Sequence, residues 1–185
     1  MRVNERHLYS CAAVVALLVW IALFSAGLLL DSTPYRTRIA EGPFSPIDFT
    51  AAMLLYTPSN VALLSIAAGF LGGCASRLAG LQDLADRIRA AREAGEDDLV
   101  RSLGRRLHYL TESPATSMLR GFLVYLGAIS GILLLIADPF KNPTAEQFIR
   151  TAGLISGLAF VMGYDPTRFE EMIAKFLQWK PSENR

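Results

Sequence analysis

The chain has 185 residues, a formal net charge of +1, 52% hydrophobic residues and 19% charged ones, with a mean hydropathy of +0.32. A soluble domain carries about a quarter charged residues, so the deficit points to burial in lipid. Near-neutral charge gives no basis for a nucleic-acid partner, and two cysteines that each lie in an apolar run, Cys11 and Cys74, argue against a disulfide framework.

The first apolar run, "LYSCAAVVALLVWIALFSAGLLL" from Leu8 to Leu30, is long enough for a bilayer that needs about 20 helical residues. Arg2 and Arg6 precede it as they would a signal peptide. The run exceeds the roughly 7–15 apolar residues of such a peptide, which predicts a retained signal-anchor helix.

The second region, Ile47 to Ala75, is too long for one straight crossing, and "TPSN" at 57–60 divides it. Thr57 as N-cap and Pro58 at the first helical position predict a helix start, because Pro lacks an amide hydrogen that the first turn does not need. The span then runs from Pro58 to about Arg77. Residues 47–60 have three readings. They lie at the outer interface with Phe49 and Tyr56 at headgroup depth, or they kink one long tilted helix. In the third reading they form a re-entrant half-helix, with Thr57, Pro58, Ser59 and Asn60 as pore-lining candidates.

Residues 78–112 read as a cytoplasmic helical hairpin. Leu81, Leu84, Ile88 and Ala91 make one apolar stripe, and Leu99, Leu103, Leu107 and Leu110 make another. Between them Gly95 suits a C-cap and Asp97 or Asp98 the next N-cap. Arg105 and Arg106 are candidates for contact with anionic lipid headgroups, against a plain solvated face. The third span is expected from about Met118 to Ala137, after Ser113-Pro114, and the fourth from about Gln147 to Gly163. Asp165-Pro166 then starts a C-terminal amphipathic helix in "GYDPTRFEEMIAKFLQW", with Phe169, Met172, Ile173 and Phe176 on one face.

All but four of the 18 Lys and Arg residues fall in the N-terminus, the central segment or the C-terminus. The exceptions are Arg36, Arg38, Lys141 and Arg150. Both termini and the hairpin are therefore expected in the cytoplasm. The expected fold is an all-α membrane protein, a bundle of four transmembrane helices with the hairpin and the amphipathic helix. Its parts are 1–77, 78–112, 113–163 and 164–185. Small residues recur at four-residue spacing, as Ala12/Ala16, Ala22/Ala26, Gly69/Gly73, Gly127/Gly131 and Gly153/Gly157, where they let helix backbones approach, within the bundle or at contacts between subunits.

The stretches "YTPSNVALLSIAAGFLGG" and "GYDPTRF" are similar to uncharacterised bacterial four-span proteins, from which nothing is carried over; a multi-pass protein of a bacterial inner membrane is the expected location. No named family or activity comes with that likeness. Mid-span acids, Lys and His are missing, and so are reactive pairs, cofactor motifs and metal-ligand spacings, so no catalytic residue, metal or cofactor is expected. Three functions compete. An oligomeric channel-like protein stands slightly ahead of a non-enzymatic scaffold or accessory subunit that binds another membrane protein, and the missing reactive residues disfavour a membrane enzyme or transporter. The expected partners are the lipid bilayer and further copies of the chain, with another membrane protein as the alternative.

Overall fold

Proline sets many of the helix starts in this chain. The structure is a computed structural model that describes residues 3–111, 113–135, 144–169, 171 and 174. Among the described residues it is all-helical, with α1 (Val3–Leu29), α2 (Thr33–Glu41), α3 (Pro46–Leu55), α4 (Thr57–Glu93), α5 (Asp97–Thr111), α6 (Pro114–Leu135) and α7 (Ala145–Tyr164). Pro34, Pro46, Pro58 and Pro114 each stand in a first turn, where the missing amide hydrogen has no partner to lose. Thr144 and Gln147 close α7 with a capping box, a T-x-x-Q signature.

Two helical segments among the described residues are long and apolar enough to cross a membrane: His7–Leu29, with mean hydropathy 2.5, and Thr57–Gly80, with 1.6. The second is only part of its helix. α4 continues for 37 residues, roughly 55 Å against a bilayer core of about 30 Å. The hairpin boundary expected at 77/78 is therefore corrected. Its first limb is the far end of α4, because the helix passes from "CASRLAG" into "LQDLADRIRAARE" without a turn.

The helix ends at a Schellman turn. Gly95, at φ 73, donates its amide to Arg92 O at 3.2 Å, and Glu96 donates to Ala91 O at 3.0 Å. Gly95 stands one residue past the Ala94 C-cap, one step beyond the position expected, since only Gly enters that left-handed conformation without strain. Asp97 and Asp98 sit in the first turn of α5, one step inside the expected N-cap, where their charges complement the helix dipole. Leu84 and Ala91 are buried and Leu99 is exposed. The side chains of Leu81, Leu107 and Leu110 lie outside the described residues.

α4 is the axis of the bundle, and α1, α6 and α7 all pack on it. Val61 and Leu64 meet Phe148, Ala152 and Ile155 of α7 in one core cluster, flanked by Leu23, Phe24 and Leu28 of α1 and by Tyr125, Ala128 and Ile129 of α6. Ala68, Val124, Ala159 and Met162 form a second cluster nearer the other end, with Trp20 and Phe169 against it. α7 thus runs parallel to the first part of α4, while α6 runs antiparallel. Side-chain hydrogen bonds cross between helices in this core. Ser65 Oγ donates to Gly121 O at 2.6 Å. Trp20 Nε1 donates to Ser156 Oγ at 3.2 Å.

The tightest approaches are made by glycine. A Cβ on Gly69 would overlap the Ser117 carbonyl oxygen, and one on Gly121 would overlap that of Ser65. On the other side of α4, a Cβ on Gly72 would strike Phe160 O and one on Gly163 would strike Gly69 O. Gly69 is therefore a packing glycine, as expected, and Gly73 is buried on the same helix. Gly127, Gly131, Gly153 and Gly157 are a correction: a Cβ on any of them meets nothing within 4 Å. Their helices turn other faces inward. α7 buries Phe148, Ala152, Ile155, Ser156, Ala159, Met162 and Gly163, which leaves Gly153 and Gly157 outside.

This division is testable by thermal unfolding of purified variants in detergent. Gly69→Ala and Gly121→Ala should each cost about 1–3 kcal/mol, because a methyl must push carbonyl backbone aside. Gly127→Ala and Gly157→Ala should be neutral or stabilising by up to about 1 kcal/mol, since alanine favours the helix. Equal loss at all four positions would contradict the packing described.

Candidate functional site

The polar TPSN break lies at the corner between α3 and α4, and Tyr56 makes that corner. Its backbone is extended, with φ −67 and ψ 126. Its amide closes α3 on Ala52 O at 2.8 Å, and its carbonyl opens α4 by accepting from Asn60 N at 2.8 Å. Ser59 Oγ donates to the same carbonyl at 3.0 Å. The Arg36 guanidinium lies over the Tyr56 ring, 4.3 Å from its centroid, and ties α2 to the corner. Tyr56 is thus the N-cap in place of Thr57, and no side chain caps the helix start. Thr57 is already the first helical residue because the extended torsion falls one position earlier.

Asn60 is fully buried. Its Nδ2 donates at 2.8 Å to Leu23 O of α1 and at 2.8 Å to Leu54 O of α3. The Leu54 carbonyl belongs to the last turn of α3, where carbonyls lack an intrahelical acceptor role, so the amide satisfies it. Two carbonyl oxygens at that distance also fix which end of the amide is nitrogen. Oδ1 has no hydrogen-bond partner among the described residues. It lies against Gly27, where a Cβ would come within 2.7 Å of it and within 2.6 Å of Phe148 Cζ. Gly27 is what allows Asn60 and Phe148 to reach the α1 backbone together.

One side chain therefore joins three helices. The expectation that Asn60 faces a pore axis is corrected by this geometry, because its donors are held inside the chain. Ser59 bonds its own turn, and Thr57 and Pro58 are half-buried beside it. α3 itself buries Ala52 and Leu55 and exposes Ile47, Phe49 and Met53. Its start is pinned by Ser45, whose Oγ accepts from Asp48 N at 3.4 Å, and by an Arg38–Asp48 ion pair at 3.5 Å. Asp31, just before α2, accepts from Thr33 N and Oγ1, bonds that hold its carboxyl below the usual range.

Elsewhere the expected groups are dispersed. Cys74 is buried, whereas Cys11 is exposed on α1. Arg105 and Arg106 are on α5, and their side chains lie outside the described residues, as do Met172, Ile173 and Phe176. Asp165 does cap the turn after α7, accepting from Thr167 N at 3.2 Å. No group of three or more His, Cys, Asp or Glu among the described residues could hold a metal ion. The contacts that sequence reasoning passed over are Gly27, Gly72, Gly121, Gly163, Ser65 and Trp20. Counting Ser and Ala as small residues would have found three of them, since Ser65/Gly69, Ser117/Gly121 and Ala159/Gly163 each have the four-residue spacing.

Substitution separates these roles. Asn60→Ala should cost about 1–3 kcal/mol by leaving the Leu54 carbonyl unsatisfied. Asn60→Asp should cost more, because a carboxylate would face two carbonyl oxygens where donors stood. Thr57→Ala should stay within about 0.5 kcal/mol, as it caps nothing. Thermal midpoints of the purified variants check the order; an Asn60→Asp protein as stable as wild type would contradict the buried amide.

Comparison with protein-family models, with curated proteins and with solved structures finds no match to this chain.

Proposed function

We propose that the chain is a four-span membrane protein that works by binding: a non-enzymatic scaffold or accessory subunit of a bacterial inner membrane. Support for the membrane begins with α1. It exposes Val14, Val15 and Leu18 to 57–60% along a helix with no polar outer face, far beyond the apolar patch that water tolerates. Thr57–Gly80 is the second candidate crossing. α6 and α7 lie alongside it through both core clusters, so they share its depth. The arginine distribution then puts the termini and the α4–α5 hairpin on the cytoplasmic side.

The observation that carries the binding reading is the inward commitment of Asn60 beside the outward glycines of α6 and α7. The polar break serves the protomer's own junction, while Gly127, Gly131, Gly153 and Gly157 leave backbone open to close approach by another helix. The same faces fit a second copy of the chain, which keeps an oligomeric, channel-like assembly as the second reading. In that reading a conduction path would run between copies and would not use Asn60.

Two measurements test the proposal. In a protein freed of its native cysteines, Ser32→Cys and Thr144→Cys should react with an impermeant thiol reagent on intact cells, and Ser102→Cys should not. Labelling at Ser102 would overturn the topology. Gly153→Leu and Gly157→Leu should leave the thermal midpoint near wild type while shrinking the mass of the complex extracted in mild detergent. An extracted wild-type protein that is already a lone monomer would count against binding through these faces.

A further inference from the structure

The bonds that join Asn60 to its neighbours also set the depth of α3. Nδ2 donates to Leu23 O and to Leu54 O, each at 2.8 Å, so the last turn of α3 lies beside Leu23 of α1. Leu18 is the middle of the His7–Leu29 candidate span, and Leu23 lies about 7 Å farther along that helix. The hydrocarbon core of a bilayer ends roughly 15 Å from its middle. The last turn of α3 is thereby held several ångströms inside the edge of the core. There water does not reach a free carbonyl, and the Asn60 amide satisfies the one at Leu54 instead.

The first turn of α3 carries the opposite marks. Asp48 pairs with Arg38 at 3.5 Å, and Ser45 caps the helix start by accepting from Asp48 N. A charged pair belongs outside hydrocarbon. From Asp48 to Leu54 the helix advances about 9 Å, enough to carry the chain from the headgroups down to Leu23. Along this descent Ala52 and Leu55 pack on the bundle, while Ile47, Phe49, Met53 and Leu54 are exposed. Thr50 is exposed with them, and its hydroxyl donates to Pro46 O at 2.8 Å, so it asks nothing of water. The helix thus runs from charged to apolar along its axis, in the order in which a leaflet runs from headgroup to acyl chain. Val19 and Ile21 of α1, close to Leu23 in sequence, are exposed apolar side chains as well.

We infer that α3 is a wedge in the outer leaflet, with Asp48 and Arg38 at the headgroups, and Phe49, Met53 and Leu54 among phospholipid acyl chains. The inference rests on the membrane reading above. Ten residues span about 15 Å, half of the hydrocarbon core, so α3 displaces lipid from one leaflet only. Its partner is the lipid of that leaflet, in place of a second protein.

The test is the accessibility of nitroxides placed along α3. In a protein freed of Cys11 and Cys74, Ile47→Cys, Met53→Cys and Leu54→Cys are spin-labelled singly and reconstituted in vesicles of phosphatidylcholine and phosphatidylglycerol. Met53→Cys stands in if Leu54→Cys does not fold. Val15→Cys on α1 reports the bilayer and Thr37→Cys on α2 reports water, since both positions are exposed. Oxygen concentrates in hydrocarbon, whereas a nickel chelate stays in water. The oxygen-to-nickel collision ratio at Met53→Cys and Leu54→Cys should be several-fold above that at Ile47→Cys, which in turn should exceed that at Thr37→Cys. Nickel collisions at Met53→Cys as frequent as at Thr37→Cys would place the face in water. Low collision rates with both reagents would put a protein on it, and equal ratios at Ile47→Cys and Leu54→Cys would lay the helix flat. Each of these overturns the inference. Nickel-dominated collisions at Val15→Cys would instead show that the membrane reading has failed, and the wedge with it.

Discussion

The bundle depends on backbone-to-backbone contact along α4. Helices that pack through leucine stand 8–10 Å apart, and at that distance no side-chain hydroxyl as short as serine's reaches a neighbour's carbonyl. Gly69 and Gly121 remove the obstacle between α4 and α6, and Ser65 then reaches Gly121 O. Gly72 and Gly163 do the same between α4 and α7. If the bundle lies in lipid, this contact also supplies what water otherwise would, because lipid tails offer no hydrophobic drive between helices. With α6 and α7 locked to opposite sides of α4, their remaining faces are fixed. That is why four other glycines look outward.

The Asn60 junction builds on this frame at one end. An amide placed in the first turn of α4 collects the backbone of α1 and α3, which would otherwise be joined to the bundle only by apolar contact. Its two donor bonds, to Leu23 O and Leu54 O, give a polar residue in an apolar run a structural role.

Much of this was legible in the chain. Pro58 located the start of α4 to within a residue, and Gly95 marked its turn because a positive φ demands glycine, whereas α2 left no mark that was read. The two runs that pass the span criterion stood out by hydropathy alone. The hairpin boundary was misplaced because a long helix shows no local signal where its apolar part ends; only its composition changes at 77. The glycine faces were misassigned for a related reason. Four-residue spacing says that two small residues share a face, but not what that face meets. Serine and alanine completed the true contact pairs, so pairing glycine with glycine in α6 and α7 selected outward faces there. The role of Asn60 was hidden in the tertiary fold, since its partners Leu23 and Leu54 are set by how α1 and α3 return to α4.

The central claim is that the polar break faces inward. Hydrogen exchange of the Asn60 side-chain amide, followed by solution NMR on detergent-solubilised protein, reads this directly. The account predicts that both Asn60 Nδ2 protons are protected and exchange orders of magnitude more slowly than those of free asparagine in the same buffer. Exchange of Asn60 at the rate of a freely solvated amide would mean that water reaches it, and would contradict the account.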